Sequence, residues 1–142
     1  MRFMIIVKAS SESEAGAPPN PEVIAAMGRY NEELIAAGVL LAADGLHPSS
    51  NGARIKFDDG KIKVTDGPFS ETKELIAGYW LIDVKSKDAA LEWVKRIPFN
   101  DGEEVELRKA FEASDFPIDS VTEDHLAKER AFRDEHQKPI RN

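Results

Sequence analysis

With 142 residues, 42% of them hydrophobic and 32% charged, the chain has the makeup of one globular domain with a real core. Its net charge of −7 argues against generic phosphate-backbone binding, and the lack of cysteine excludes disulfides, thiolate nucleophiles and thiolate-held metals. No apolar run approaches the roughly 18 residues of a membrane helix, and no Gly-rich nucleotide loop is present; a cytoplasmic protein without membrane or direct nucleic-acid contact is expected.

Met1 to Ala9 reads as a central strand through the apolar run Phe3, Met4, Ile5, Ile6 and Val7, and not as a signal peptide. Ser10 to Asn20 reads as a polar loop. Asn20 then suits an N-cap, Pro21 the first helical position, and Val23, Met27, Tyr30 and Leu34 form one apolar stripe of a helix that stops at Gly38. Val39 to Ala43 is a second strand, followed by Asp44-Gly45-Leu46-His47-Pro48 and a Ser/Asn/Gly loop. Arg54 to Phe57 and Lys61 to Val64 alternate with period 2 around Asp58-Asp59-Gly60, which predicts a hairpin with one basic face.

Gly78 to Val84 is the next strand. Ser86 caps a second helix with Ala90, Trp93, Val94 and Ile97 inward and Pro98 at its end. Val105 and Leu107 alternate with Glu104, Glu106 and Arg108 in a last strand. After Phe111 the composition changes. Glu123 to Gln137 is a charged helix with few apolar positions, expected to pack through Leu126 and Phe132. The predicted division is therefore a domain over 1–111 and a charged helical extension over 112–142.

Without the hairpin the order is β-α-β-β-α-β, an α+β ferredoxin-like fold with an inserted β-hairpin. Two short helices cover one face of such a sheet, and Phe3, Ile5, Leu41 and Trp80 or Leu81 exceed what they can cover. A second cover is expected.

The stretch Val64 to Glu74 is the most distinctive in the chain. Gly67 and Pro68 make a stiff corner, followed at once by Phe69 and the polar run Ser70 to Glu74. Asp66-Gly67-Pro68-Phe69, Glu71-Thr72-Lys73-Glu74, Gly78-Tyr79, the helix with Ala90-Leu91-Glu92-Trp93, and the upstream Gly45-Leu46-His47-Pro48 together resemble the DGPF-domain branch of the YCII-related family. The resemblance runs from about Met1 to Ala110. It implies a dimeric α/β barrel, hence a homodimer with two sheets face to face. It also implies a bacterial protein with an accessory role in sigma-factor-linked regulation.

Asp66 can pin its own turn or face a pocket as a base. His47 stands at a strand end three residues after Asp44, where a carboxylate could orient its ring. Lys73 can attract an acidic ligand or pair locally. Of Tyr79 and Trp80, on opposite faces of one strand, at least one belongs to the core. The predicted site lies where the end of the second strand meets the DGPF corner. It comprises Asp44, His47 and Asp66 as candidate proton-transfer groups and Phe69, Lys73 and Tyr79 as ligand contacts. His125 and His136 in the tail stand too far apart for one metal, and no metal or other cofactor is expected. Some YCII-related proteins use a first-helix histidine with an aspartate; here Met27 fills the histidine position, so only Asp44 persists. The expected function is small-molecule binding. The alternative is a cofactor-independent lyase or oxygenase acting on a small acidic or aromatic compound.

Overall fold

Strand, helix and strand succeed one another as the apolar spacing requires. In the computed structural model, which describes residues 1–117, 119 and 122–142, the elements are β1 (Arg2–Lys8), α1 (Ser11–Glu14), α2 (Pro21–Ala36), β2 (Leu40–Gly45), β3 (Ala53–Asp58), β4 (Lys61–Asp66), β5 (Ile76–Asp83), α3 (Lys87–Val94), β6 (Val105–Lys109) and α4 (Glu123–His136). The main sheet is antiparallel in the order β2-β5-β1-β6, and β3-β4 forms a separate two-stranded sheet. With α2 and α3 as the two crossovers, this is the ferredoxin-like arrangement with the hairpin inserted between β2 and β5.

The α2 start is set by Asn20, whose side chain accepts from Glu22 N at 2.8 Å, with Pro21 at the first turn. Ser86 does the same for α3 through Ala89 N at 3.1 Å. The polar stretch before α2 differs from expectation: Ser10 and Ser13 cap each other reciprocally and hold the short helix α1. Such a box needs only two serines three apart, a signal that the prolines further on overshadow.

Helices and sheet share one core: Phe3, Ile5, Tyr30, Leu34, Leu40, Trp80, Ile82, Val84 and Ala90 are all buried. Tyr30 meets Trp80 edge-on at 5.5 Å between ring centres, and its hydroxyl donates to the Trp93 carbonyl at 3.0 Å. The Trp80 indole donates to Asn31 on α2 at 2.8 Å. Burial pushes the Tyr30 phenol up to about 12, the first cause being desolvation.

The register settles the two sheet faces. Ile5 pairs with Trp80 and Phe3 with Ile82, so these residues lie on the helix side. The expected surplus on the uncovered face thus consists of other residues: Met4 opposite Leu81, and Ile6 opposite Tyr79, all half-buried. Ala42 continues that face beside Leu81, and an irregularity between Leu40 and Ala42 sets Leu41 out of the regular alternation. Alternation alone could not assign these faces, because β1 is apolar on both sides.

The tail helix departs in its packing. Leu126 lines a cleft with Met1, Arg2 and Asp83, but Phe132 is 59% exposed and lies against His136 instead of the body. Polar ties hold the tail: Arg2 Nη1 donates to Gln137 Oε1 at 2.9 Å, and Ile140 N donates to the Leu40 carbonyl at 2.8 Å.

Candidate functional site at the end of β2 and the DGPF corner

The corner after β4 is built on the turn that follows β2. Gly67 N donates to the Gly52 carbonyl at 3.0 Å, and the Gly67–Pro68 bond is cis. A Cβ on Gly67 would stand 1.8 Å from the Ser49 carbonyl oxygen, so only glycine fits at this approach. Ser49 then fastens the corner from its other side. Its Oγ accepts from Phe69 N at 3.0 Å and donates to the Glu14 carboxylate, which also accepts from Ser49 N at 3.1 Å. The short helix α1, the β2–β3 turn and the corner are thereby one polar cluster.

This cluster frames a groove of about 450 Å³ lined by Glu14, Leu46, His47, Ser49, Arg54, Phe69, Leu75 and Ile76 among others. The Arg54 guanidinium lies 4.0 Å from the centre of the Phe69 ring. A cation stacked on an aromatic wall suits a planar or anionic ligand group.

Next to the groove along β2, Asp44 stands directly opposite Tyr79 of β5, and the Tyr79 hydroxyl donates to Asp44 Oδ2 at 2.7 Å. The hydrogen bond to Asp44 is the first cause that raises the phenol above its ordinary value. Gly78 allows β2 and β5 to approach here: a Cβ on it would be 2.8 Å from the Asp44 carbonyl oxygen. Ile6 lies opposite Tyr79 and Glu106 opposite Ile6, so Asp44, Tyr79, Ile6 and Glu106 form one row across the uncovered face. Such a row offers carboxylates at both edges and a phenol between them. The Asp44–Tyr79 pair can accept from a ligand hydroxyl and pass a proton across one hydrogen bond.

Of the residues predicted for the site, the structure joins Asp44 to Tyr79 and places His47 and Phe69 in the groove wall. Asp66 is exposed at the end of β4 opposite Ala53, and Lys73 is exposed in the short 3₁₀ turn Thr72–Glu74; neither lines the groove. Among the described residues no three His, Asp or Glu side chains gather as a metal site. Sequence reasoning missed Glu14, Ser49 and Arg54. The capping serines before Glu14 were the available signal for the first; Ser49 lay in a loop, and Arg54 reads as one of four solvated cations on a hairpin.

The chain is similar to a known sequence and a known structure. A relative from Rhizobium meliloti (strain 1021), described as an uncharacterized protein, is 35% identical over 69 residues, 49% of this chain and 56% of its own length. The chain thus spans little more than half of that relative. A solved structure titled as 5-chloro-2-hydroxyhydroquinone dehydrochlorinase (TftG) from Burkholderia phenoliruptrix AC1100, in complex with 2,5-dihydroxybenzoquinone, is 15% identical. It covers 82% of this chain and 100% of its own, with a TM-score of 0.39. The family model described as the YCII-related domain matches residues 1–114. On that match the chain belongs to the YCII-related family.

Proposed function

We propose that the chain binds a small acidic or hydroxylated aromatic compound in the groove at the end of β2, reaching the Asp44–Tyr79 pair beside it along β2. The observation that carries this is the 2.7 Å hydrogen bond from Tyr79 to Asp44 beside a groove walled by Phe69 and Arg54. A phenol and a carboxylate already joined need little reordering to take a third hydroxyl. Arg54 supplies the countercharge for an acid, and Leu46, Leu75 and Ile76 supply apolar walls. His47 stands in the wall as an imidazole available for proton transfer there. Asp66 and Lys73, both exposed at the corner, act as outer contacts that attract or orient the ligand. The working unit is a homodimer of α/β-barrel type in the cytoplasm, and the DGPF-branch resemblance adds an accessory role in sigma-factor-linked regulation.

A catalytic reading, the cofactor-independent enzyme, is favoured by the same pair, because a phenol–carboxylate hydrogen bond can move a proton to or from a bound hydroxyl. A thermal-shift screen over benzoates, phenols and aliphatic acids, then turnover assays on every hit, tests both. Aromatic acids or phenols that raise the melting temperature support binding, and turnover lost in Asp44→Asn supports catalysis. No shift from any of these compounds contradicts both.

A further inference from the structure

Among the described residues that line the groove, Arg54 is the one permanent cation and Glu14 the one carboxylate, and they are committed to different partners. Glu14 Oε1 accepts from Ser49 N at 3.1 Å, and its Oε2 accepts from Ser49 Oγ. A carboxylate so supplied with donors has little need of a further cation. Arg54 instead lies flat on Phe69, 4.0 Å from the ring centre. A guanidinium stacked through its face keeps its N–H edge open, and among the described residues that edge meets no carboxylate. The stack has firm support. Phe69 N donates to Ser49 Oγ at 3.0 Å, and Gly67 packs on the Ser49 carbonyl, so the corner fixes where the ring stands. The charge also continues along the hairpin. Lys56 follows Arg54 by two residues and Lys63 lies directly opposite Lys56, so the three share one face. In a chain of net charge −7, this basic stripe gives an anion a local approach to the groove.

We propose that Arg54 determines the specificity of the groove and that the ligand it selects carries a carboxylate. The open edge of Arg54 donates two parallel hydrogen bonds to that carboxylate. The rest of the ligand is apolar and lies along Leu46 and Ile76, which are 45% and 40% exposed in the groove wall and gain cover from it. A phenol or a primary amide of the same shape offers the guanidinium no charge. A single fork with Glu14 on the same wall suits a monoanion, whereas a dianionic phosphate needs more donors to replace its water. Phe69 is a positioning residue: it touches Arg54 and sets the plane of the fork. The Gly67–Pro68 corner thereby contributes to recognition through Phe69, and Asp66 takes no part in it.

This rests on the ligand groove proposed above and narrows its ligand from acids and phenols to carboxylates; the test separates the two. The full chain is titrated calorimetrically with benzoate, 4-hydroxybenzoate and hexanoate, each against its own primary amide, and with phenol. At least one acid should bind about tenfold or more tightly than its amide and than phenol. Arg54→Gln should remove that difference, and Arg54→Lys, which keeps the charge without the fork, should restore only part of it. Arg54 is exposed, so both variants should keep the native circular dichroism spectrum. Phe69→Leu should narrow the ratio of acid to amide affinity, which a merely structural loss would not change; an unaltered ratio overturns the positioning role of Phe69. Equal affinity for acid and amide, binding of phenol alone, or an acid held as tightly by Arg54→Gln as by the native chain overturns the carboxylate assignment and leaves the groove as a ligand site. No binding of any of these probes overturns both.

Discussion

Gly67 shows why the corner has the residues it has. Its place is fixed by backbone crowding against Ser49, not by any chemistry of its own. Gly67→Ala should therefore destabilise the fold by about 1–3 kcal/mol, the usual range for an overpacked site, as a lowered urea midpoint; an unchanged midpoint would refute the crowding. Tyr30 makes a pH prediction. Its phenol is about 10 unfolded and about 12 folded, so the folded state keeps a proton that the unfolded chain loses. Stability from this residue is fully present below pH 10 and declines as pH rises toward 12, by roughly 2–3 kcal/mol at the upper end. Tyr30→Phe should flatten that alkaline limb in denaturant titrations at pH 9 to 12, and an equally steep limb would contradict the assignment. At this scale the sequence is informative about residue type and less so about direction. The Tyr79 hydroxyl donates to Asp44, and His47 and Phe69 line the groove, whereas Asp66 and Lys73 stay outside its lining. A residue beside a stiff corner can face either way, and only the docking of the corner on Ser49 decides which.

Among the elements, those with strong local signals are legible in the sequence alone. Asn20-Pro21 and Ser86 mark helix starts, and the last strand runs from Val105 to Lys109 as its alternation predicts. Elements fixed by long-range contacts are less so. The strand after the corner begins at Ile76, two residues before Gly78, because β1 and β2 pair with it there: Lys8 lies opposite Ile76, and Leu46 N donates to the Ala77 carbonyl. Helix α1 matters beyond its length, since Glu14 on it holds Ser49. Ser49→Ala leaves Phe69 N and the Glu14 carboxylate without that partner and should cost about 1–3 kcal/mol in chemical denaturation. The tail is the opposite case. No side chain of α4 is buried, and its ties to the body are polar and exposed. Truncation after Ala113 should keep the cooperative unfolding of the 1–111 body, read by circular dichroism; loss of the folded spectrum would make the tail integral to the domain.

For the whole molecule, the ferredoxin-like body does two things at once. Helices α2 and α3 bury one sheet face into an aromatic core, and the other face is left to carry a row of acid, phenol and acid. The groove lies beside the turn after β2, where the Gly67–Pro68 corner is anchored on Ser49. The claim that joins these facts is that ligand binding depends on the Asp44–Tyr79 pair. It is tested most directly by calorimetric titration of the best aromatic acid or phenol from the screen into the native chain, Asp44→Asn and Tyr79→Phe. Both side chains are on the surface side of the sheet, so the free variants should melt within a few degrees of the native protein. The account predicts that each variant weakens binding by about tenfold or more, equivalent to roughly 1.4 kcal/mol. Equal affinity in all three proteins would contradict it.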